Sequence, residues 1–258
     1  MPARLVLTAL QGLPIIRPGD DLGAAILTGL DATGLRLEAG DVLAVAQKVV
    51  SKAEGRLLNL STVEPSALAR ELAAQSHKDP RLVQAILSES RSVLRVRPGL
   101  IIVRHRLGFV CANAGIDHSN VRGDWGNHDD WVLLLPEDPD ASAQRMRAAL
   151  EHASGAAIGV LVIDSHGRAW RVGTVGVAIG VAGLPAVLDL RGRPDLYGYR
   201  LQTTDVGFAD ELAGAASALM GQAGEGTPVI HLRGVPYPLR EGSVSELVRP
   251  ESQDLFKD

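Results

Sequence analysis

The chain contains one cysteine in 258 residues. A single thiol excludes an internal disulfide and a soft, thiolate-built metal site, and it suits a reducing compartment. Aromatic residues are also scarce, at 3%, so the core has to be built from Val, Leu, Ile and Ala. No block of Lys or Arg stands out, and the formal net charge is −4. That balance argues against nucleic acid and anionic membrane as partners. No apolar run approaches the ~18–20 residues of a membrane span, and the opening MPARLVLTALQGLP is broken too early for a signal peptide. The chain therefore reads as soluble and cytoplasmic. Internal repeats and low-complexity linkers are missing, and so is the GxxxxGK[ST] phosphate loop.

What is present is enough aliphatic sequence for a substantial core. A chain of this length buries roughly 70–75% of its unfolded surface. Leu5 to Leu10 reads as a strand, and Asp20 or Asp21 caps a helix with Leu22, Ala25, Ile26 and Leu30 inward. Val42 to Ala46 reads as a buried strand opening into the polar outlet Gln47, Lys48, Ser51, Lys52 and Glu54. Pro65 opens a helix with Leu68 and Leu72 inward, and Asp79-Pro80 opens another bearing Leu82, Val83, Ile86 and Leu87. Three strands follow, SVLRVR, LIIVRHR and GFVC, the first alternating as if one face were wet. Residues 122–138 read as a polar loop running through WVLLLP. Asp140 is expected to cap a helix closed by Ser154-Gly155, ahead of a very apolar strand from Ile158 to Ile163 that ends on Asp164. Arg168 to Val181, rich in Gly and Val, suits closely approached strands. A loop, RGRPDLYGYR, leads to a helix with Phe208, Leu212, Ala216 and Leu219 on one face, stopped at Gly221. Thr227 to Leu232 is the last strand, and the tail from Glu241 is polar and expected to be mobile. Without a clean βαβ rhythm the expected class is α+β, with largely antiparallel sheets and flanking helices.

The stretch GFVCANAGIDHSNV, Gly108 to Val121, is not core-like. Asn113, Asp117, Ser119 and Asn120 crowd around Gly115, with Ile116 the only bulky side chain among them. Such a segment either forms a turn with Asx hydrogen bonds or brings backbone and oxygen groups to a ligand. Asp117 and Asp164 each follow an apolar stretch directly. Converging there, they would repel unless a cation lay between them, and hard oxygens select Mg²⁺ or Mn²⁺; taken singly, each Asp is also a turn cap. Clustered glycines in GQAGEG, Gly221 to Gly226, suit phosphate oxygens or simply end a helix. Lys48 and Lys52, four apart, fit phosphate neutralisation or a solvated surface. Arg91, Arg95 and Arg97 make an anionic-substrate patch or a wet sheet face. His118 and His166 read as exposed bystanders, and Cys111, with no paired His, as packing.

Four segments together, DVLAVAQKVVSKAEGR, GFVCANAGIDHSNV, VIDSHGR and LMGQAGEGTP, resemble the coenzyme F-420:γ-glutamyl ligase family. The likeness runs in order from about Leu5 to the Gly-Ser near residue 243. It implies a ligase domain over residues 1–245, made of two interleaved subdomains, with 246–258 as a polar tail, and an intertwined homodimer. It implies that GTP drives the joining of L-glutamate to the lactyl carboxylate of coenzyme F-420-0, with further γ-linked additions and release of GDP and phosphate. Divalent metal, Mg²⁺ or Mn²⁺ and up to two ions, falls by resemblance to Asp117, Asp164, Ser165 (usually Thr in the family) and Gln222 (where the family carries a carboxylate-type ligand). A monovalent cation such as K⁺ belongs to the same picture. GTP falls to Leu13, Pro14, Ile15, Ile16, Gln47, Lys48, Lys52 and Asn120, and to Met220, Gly221, Gly224, Glu225, Gly226 and Thr227. Asp117, Asp164 and Lys52 are the residues expected to carry the chemistry. A metal-dependent nucleotide hydrolase or phosphotransferase, and a non-catalytic nucleotide-binding regulator, are the competing readings.

Overall fold

A computed structural model of the chain describes residues 4–123 and 126–254. The first strand, β1 (Val6–Ala9), leads to helix α1 (Leu22–Thr33), capped by Asp21, whose carboxylate accepts from the Ala24 N–H, and closed by left-handed Gly34. Strand β2 (Val42–Ala46) passes straight into the short helix α2 (Gln47–Ala53), then β3 (Leu57–Asn59). Helices α3 (Ala67–Ser76) and α4 (Pro80–Ser88) are capped by Ser66 and Asp79. They precede β4 (Ser90–Arg97), β5 (Leu100–His105), β6 (Val110–Ala112) and β7 (Trp131–Leu133). Helix α5 (Pro139–Ser154) precedes the long hairpin β8 (Gly159–Arg168) and β9 (Arg171–Ala182). The pair β10 (Leu188–Asp189) and β11 (Asp205–Val206) leads to α6 (Phe208–Met220) and β12 (Val229–Arg233).

The central sheet has the order β1-β12-β2-β8-β9, in which only β2 and β8 run parallel. A second sheet, β4-β5-β6, is antiparallel throughout, as are the pairs β3-β7 and β10-β11. The class is thus α+β and mostly antiparallel, as the sequence implies. Alternation divides the apolar side chains of the central sheet between two cores. Leu43, Val45, Val160 and Val162 meet α1 and α5 through Ile26, Leu30, Met146 and Leu150. Val42, Ala44, Leu161 and Ile163 meet α6 through Phe208, Leu212 and Ala216. A third core, with Val83, Ile86, Ile101 and Val103, joins α3 and α4 to the smaller sheet. Among the described residues no helix is long and apolar enough to cross a membrane.

Several local expectations need correction. The polar outlet after β2 is a helix, and it starts on Ala46, which offers no side-chain cap. Leu68 and Leu219 are exposed rather than inward. Helix α5 is capped by Asp138, not Asp140; the Asp140 carboxylate instead accepts from the Val181 N–H at 2.7 Å and from the Ser243 hydroxyl at 2.7 Å. Strict alternation in β4 fails because the register shifts between Val93 and Arg95, so that Val93 and Val96, three apart, both pack on the core. Strand β8 continues beyond Asp164 to Arg168, although full burial stops at Ile163. The segment after Glu241 is held in place as far as Asp254, through Ser243 on Asp140 and an Arg104–Asp254 pair at 3.1 Å.

Candidate functional site

Strand order explains why distant segments meet. Residues Ala46 and Ile163 are the last partners of the parallel pairing between β2 and β8, so Gln47 and Asp164 follow it side by side. Strand β12 runs the other way and starts at this same edge, with Val229 beside Val45, which places the loop from Gly221 to Pro228 there. Strand β1 ends opposite Ile230 and delivers Leu13 to Ile16 to the same place. The crevice outside the carboxyl ends of parallel strands is the general position for ligands in such sheets.

A cavity of about 920 Å³ occupies this edge. Every residue assigned above to nucleotide or metal lines it: Leu13 to Ile16, Gln47, Lys48, Lys52, Asp117, Asn120, Asp164, Ser165, Gln222 and the segment Met220 to Thr227. The central stretch reaches it from the second sheet. There Asn113, Ala114 and Gly115 are consecutive left-handed residues, a costly conformation for the first two. The Asn113 side chain is not offered to a ligand; it accepts from the Ile101 N–H at 3.1 Å and anchors the turn. Asp117 then pairs its backbone with Leu133, which fixes where its carboxylate points.

Asp117 accepts from the Gln47 amide at 2.7 Å and lies 3.5 Å from the Lys48 ammonium. Ser51 donates to Gln47 at 3.0 Å and holds that amide in orientation. Burial pushes the Asp117 carboxyl up to about 6; Lys48 opposes the shift and the Asp164 charge adds to it. The two acids therefore feel one another. Lys48 also donates to the Ser119 hydroxyl at 2.7 Å. Lys52, one turn on along α2, has its pKa lowered by burial and by Lys48. Ser165 donates to the Gln222 carbonyl at 2.7 Å, and the Gln222 amide donates to Ser217 at 3.0 Å. Asn120, itself left-handed, donates to the Ala223 carbonyl and so joins the central stretch to the glycine loop.

The donor set formed by Asp117, Asp164, Ser165 and Gln222 is entirely oxygen, which suits a hard divalent cation. Among the described residues no group of three or more His, Cys, Asp and Glu is gathered as a metal cluster, so a cation here would rest on two carboxylates and neutral oxygens.

Other candidates fall elsewhere. Arg91, Arg95 and Arg97 lie exposed on the smaller sheet and do not line this cavity, in keeping with a wet face. Cys111 is buried and its thiol is pushed up to about 12 by that burial and by Asp164, which makes it inert packing. His118 is exposed, as anticipated. His166 is not a bystander: its Nε2 lies 3.1 Å from an Asp164 oxygen and its ring packs against Phe109. Thr174, Arg122 and Ser217 also line the cavity without having been singled out. Only the position of Ser217, five residues before Gln222 at the end of α6, gave any sign in the sequence.

The fold and cavity define an α+β protein with a polar ligand site at the carboxyl ends of its parallel strand pair, two acids on one side and two lysines beside them. Residues 12–234 match the family model described as F420-0:Gamma-glutamyl ligase, and the chain belongs to that family. It is similar to the Coenzyme F420:L-glutamate ligase of Methanothermobacter thermautotrophicus, with 45% identity over 97% of this chain and 98% of that protein. The proteins of the same name from Methanopyrus kandleri and Archaeoglobus fulgidus are 47% and 42% identical, over 94% and 98% of this chain and 93% and 97% of theirs.

Proposed function

We propose that the chain is a ligase that uses GTP to join L-glutamate to the lactyl carboxylate of coenzyme F-420-0. The observation that supports this most is the convergence of Asp117, Asp164, Lys48, Lys52 and the Gly221–Gly226 loop on one cavity large enough for a nucleotide and an acceptor tail. A carboxylate does not condense with an amine unaided. Its oxygen first attacks the γ-phosphorus of GTP, giving an acyl phosphate and GDP. The glutamate amine then attacks the acyl carbon and gives up a proton, an amide forms, and phosphate leaves with the bonding pair. Further glutamates add through the γ-carboxylate by the same two steps.

The residues divide this work by chemistry. Lys48 and Lys52 meet the triphosphate charge, and the glycine loop turns backbone N–H groups toward it. Asp117, Asp164, Ser165 and Gln222 would hold Mg²⁺ or Mn²⁺, one ion or a pair, with a monovalent cation such as K⁺ nearby. A divalent ion held there would neutralise charge on the transferred phosphoryl group. Gln47, oriented by Ser51, keeps the Asp117 carboxylate directed into the cavity. The working form is a homodimer in this reading, consistent with exposed Trp170, Val172, Leu196 and Tyr197.

The test supplies GTP, Mn²⁺ and F-420-0 with and without glutamate, and follows GDP together with product mass. Glutamate-dependent GDP release and a mass gain of one glutamyl residue are expected. GDP release indifferent to glutamate would show a hydrolase or phosphotransferase. Nucleotide binding without GDP would show a regulator, the reading that neutral Gln222 keeps in view.

A further inference from the structure

We infer that a second cavity, meeting the first at His166, seats the fused-ring deazaflavin head of the acceptor, so that the acceptor spans both cavities with its terminal carboxylate at Asp164. The inference rests on the ligase reading above and specifies its acceptor site.

This cavity measures about 310 Å³ and lies between β9, the start of β6 and the segment around Leu247. Its walls combine apolar side chains, Phe109, Val177 and Leu247 among them, with Arg249, Asp210 and the Arg104–Asp254 pair. An apolar cavity of ~150 Å³ holds one benzene ring, so the space here corresponds to a fused two- to three-ring system. Apolar walls with a few placed polar groups are the usual lining for such ligands. Arginine suits the edge and face of an electron-rich heteroaromatic ring, by hydrogen bonding and by stacking.

His166 ties this space to the reaction centre. It lines both cavities, its Nε2 is 3.1 Å from the Asp164 carboxylate, and its ring sits 5.3 Å from that of Phe109 at a tilt of 53°. A ligand with its ring against Phe109 would pass His166 to reach Asp164. The long ribityl phosphodiester arm of the acceptor, which separates ring from carboxylate, supplies a connection of that kind.

The probe is the ribityl deazaflavin chromophore without its phospholactyl group, titrated by fluorescence into the whole protein without GTP. Two variants accompany the wild type: Val110→Trp, which fills the cavity from a position already 48% exposed, and Arg249→Glu. Saturable binding by the wild type is expected, weakened at least about tenfold in each variant, with GTP binding unchanged. In turnover, the variants should raise KM for the acceptor and leave KM for GTP alone. Absence of saturable binding, equal binding by both variants, or displacement of the chromophore by GTP would overturn the assignment. Failure of the ligase reading looks different: the wild type would bind the chromophore as described and join no glutamate to F-420-0. Ligation with an unchanged acceptor KM in both variants would leave that reading intact and remove this one.

Discussion

Asp117 concentrates the tension of the site. Its carboxylate is half-buried, raised to about 6 by desolvation, and pressed by Asp164, with Lys48 and Gln47 as its relief. An acid kept in that state is poorly stabilised as an isolated anion and well prepared for a cation. Replacing Asp117 or Asp164 by Asn keeps shape and removes charge. We expect GTP-dependent turnover to fall by roughly 100-fold or more in each, the scale of losing one electrostatic stabiliser. Thermal melting should stay close to wild type, because either substitution removes like-charge repulsion and Asp117→Asn leaves an oxygen for Gln47. A melting point collapsing with activity would show the acids to be structural. Gln222 poses the complementary question. Its carbonyl accepts from Ser165, and Ser217 accepts from its amide, so it is fixed but neutral. Gln222→Glu should tighten Mn²⁺ binding by roughly tenfold, since ligand charge sets affinity for hard cations, as read by calorimetry. Unchanged affinity would place the cation away from residue 222.

At the scale of elements, strand β9 is clamped between helices, and its glycines set the distances. A Cβ at Gly176 would lie 2.4 Å from Ser217 Cβ and 2.5 Å from the Ala213 carbonyl of α6, while one at Gly180 would meet the Pro139 carbonyl of α5 at 2.4 Å. Gly176→Ala and Gly180→Ala should each cost about 1–3 kcal/mol by overpacking, measured by urea unfolding. They should differ in function. Only Gly176→Ala pushes on Ser217 and through it on Gln222, so it alone should also weaken Mn²⁺ binding; equal effects would break that link. The Gly- and Val-rich composition of 168–181 announces this close approach in the sequence, as the apolar run of 158–163 announces β8. Helix α2 is silent there, because seven residues without a capping side chain carry no readable period. The bulge in β4 is silent too, since a register shift leaves no compositional mark. Polar outlets at 47–54, 113–120 and 221–227 stand out residue by residue. Their meeting does not, because it depends on β12 running antiparallel between β1 and β2, a long-range fact that local pattern does not encode.

The molecule as a whole is held by two buried ion clusters and is built to fail in acid. Asp41 is held below the usual carboxylate range: burial works against it, but Arg233 at 2.7 Å and His231 at 2.8 Å from its oxygen outweigh that cost. Glu89 is lowered in the same way, burial opposing and Arg106 and Arg56 prevailing, at 2.8 and 2.9 Å. Depressed acids contribute stability above their unfolded pKa and lose it as pH falls through the folded value. His105 works over a higher range. Burial drops its pKa from 6.5 to about 4, so below pH 6.5 the unfolded chain takes a proton that the folded one refuses. Stability should thus be flat above neutrality and decline from about pH 6.5. Below about pH 6 the raised Asp117 takes up a proton in the folded chain and offsets part of that fall, which steepens below ~4.5 as the depressed carboxylates join. The His105 share amounts to roughly 3 kcal/mol, at about 1.4 kcal/mol per pKa unit. In His105→Asn the decline between pH 6.5 and 4.5 should flatten, whatever the starting stability; a slope identical to wild type would remove His105 from the account.

Assembly belongs to this scale as well. Trp170 and Val172 at the tip of the β8–β9 hairpin, and Leu196 and Tyr197 between β10 and β11, are nearly fully exposed in the single chain. Apolar side chains of that size gathered on projecting segments are costly in water and mark a surface meant to be covered. A second copy would cover such segments through a two-fold axis, since each chain would then offer the same projections to the other. Light scattering on the purified protein should give twice the chain mass of 27.2 kDa. Charge placed at Leu196 and Tyr197, as Leu196→Glu with Tyr197→Glu, should give the single-chain mass with helical circular dichroism retained. A wild type that already runs as one chain at micromolar concentration would exclude the dimer and leave those side chains to another partner.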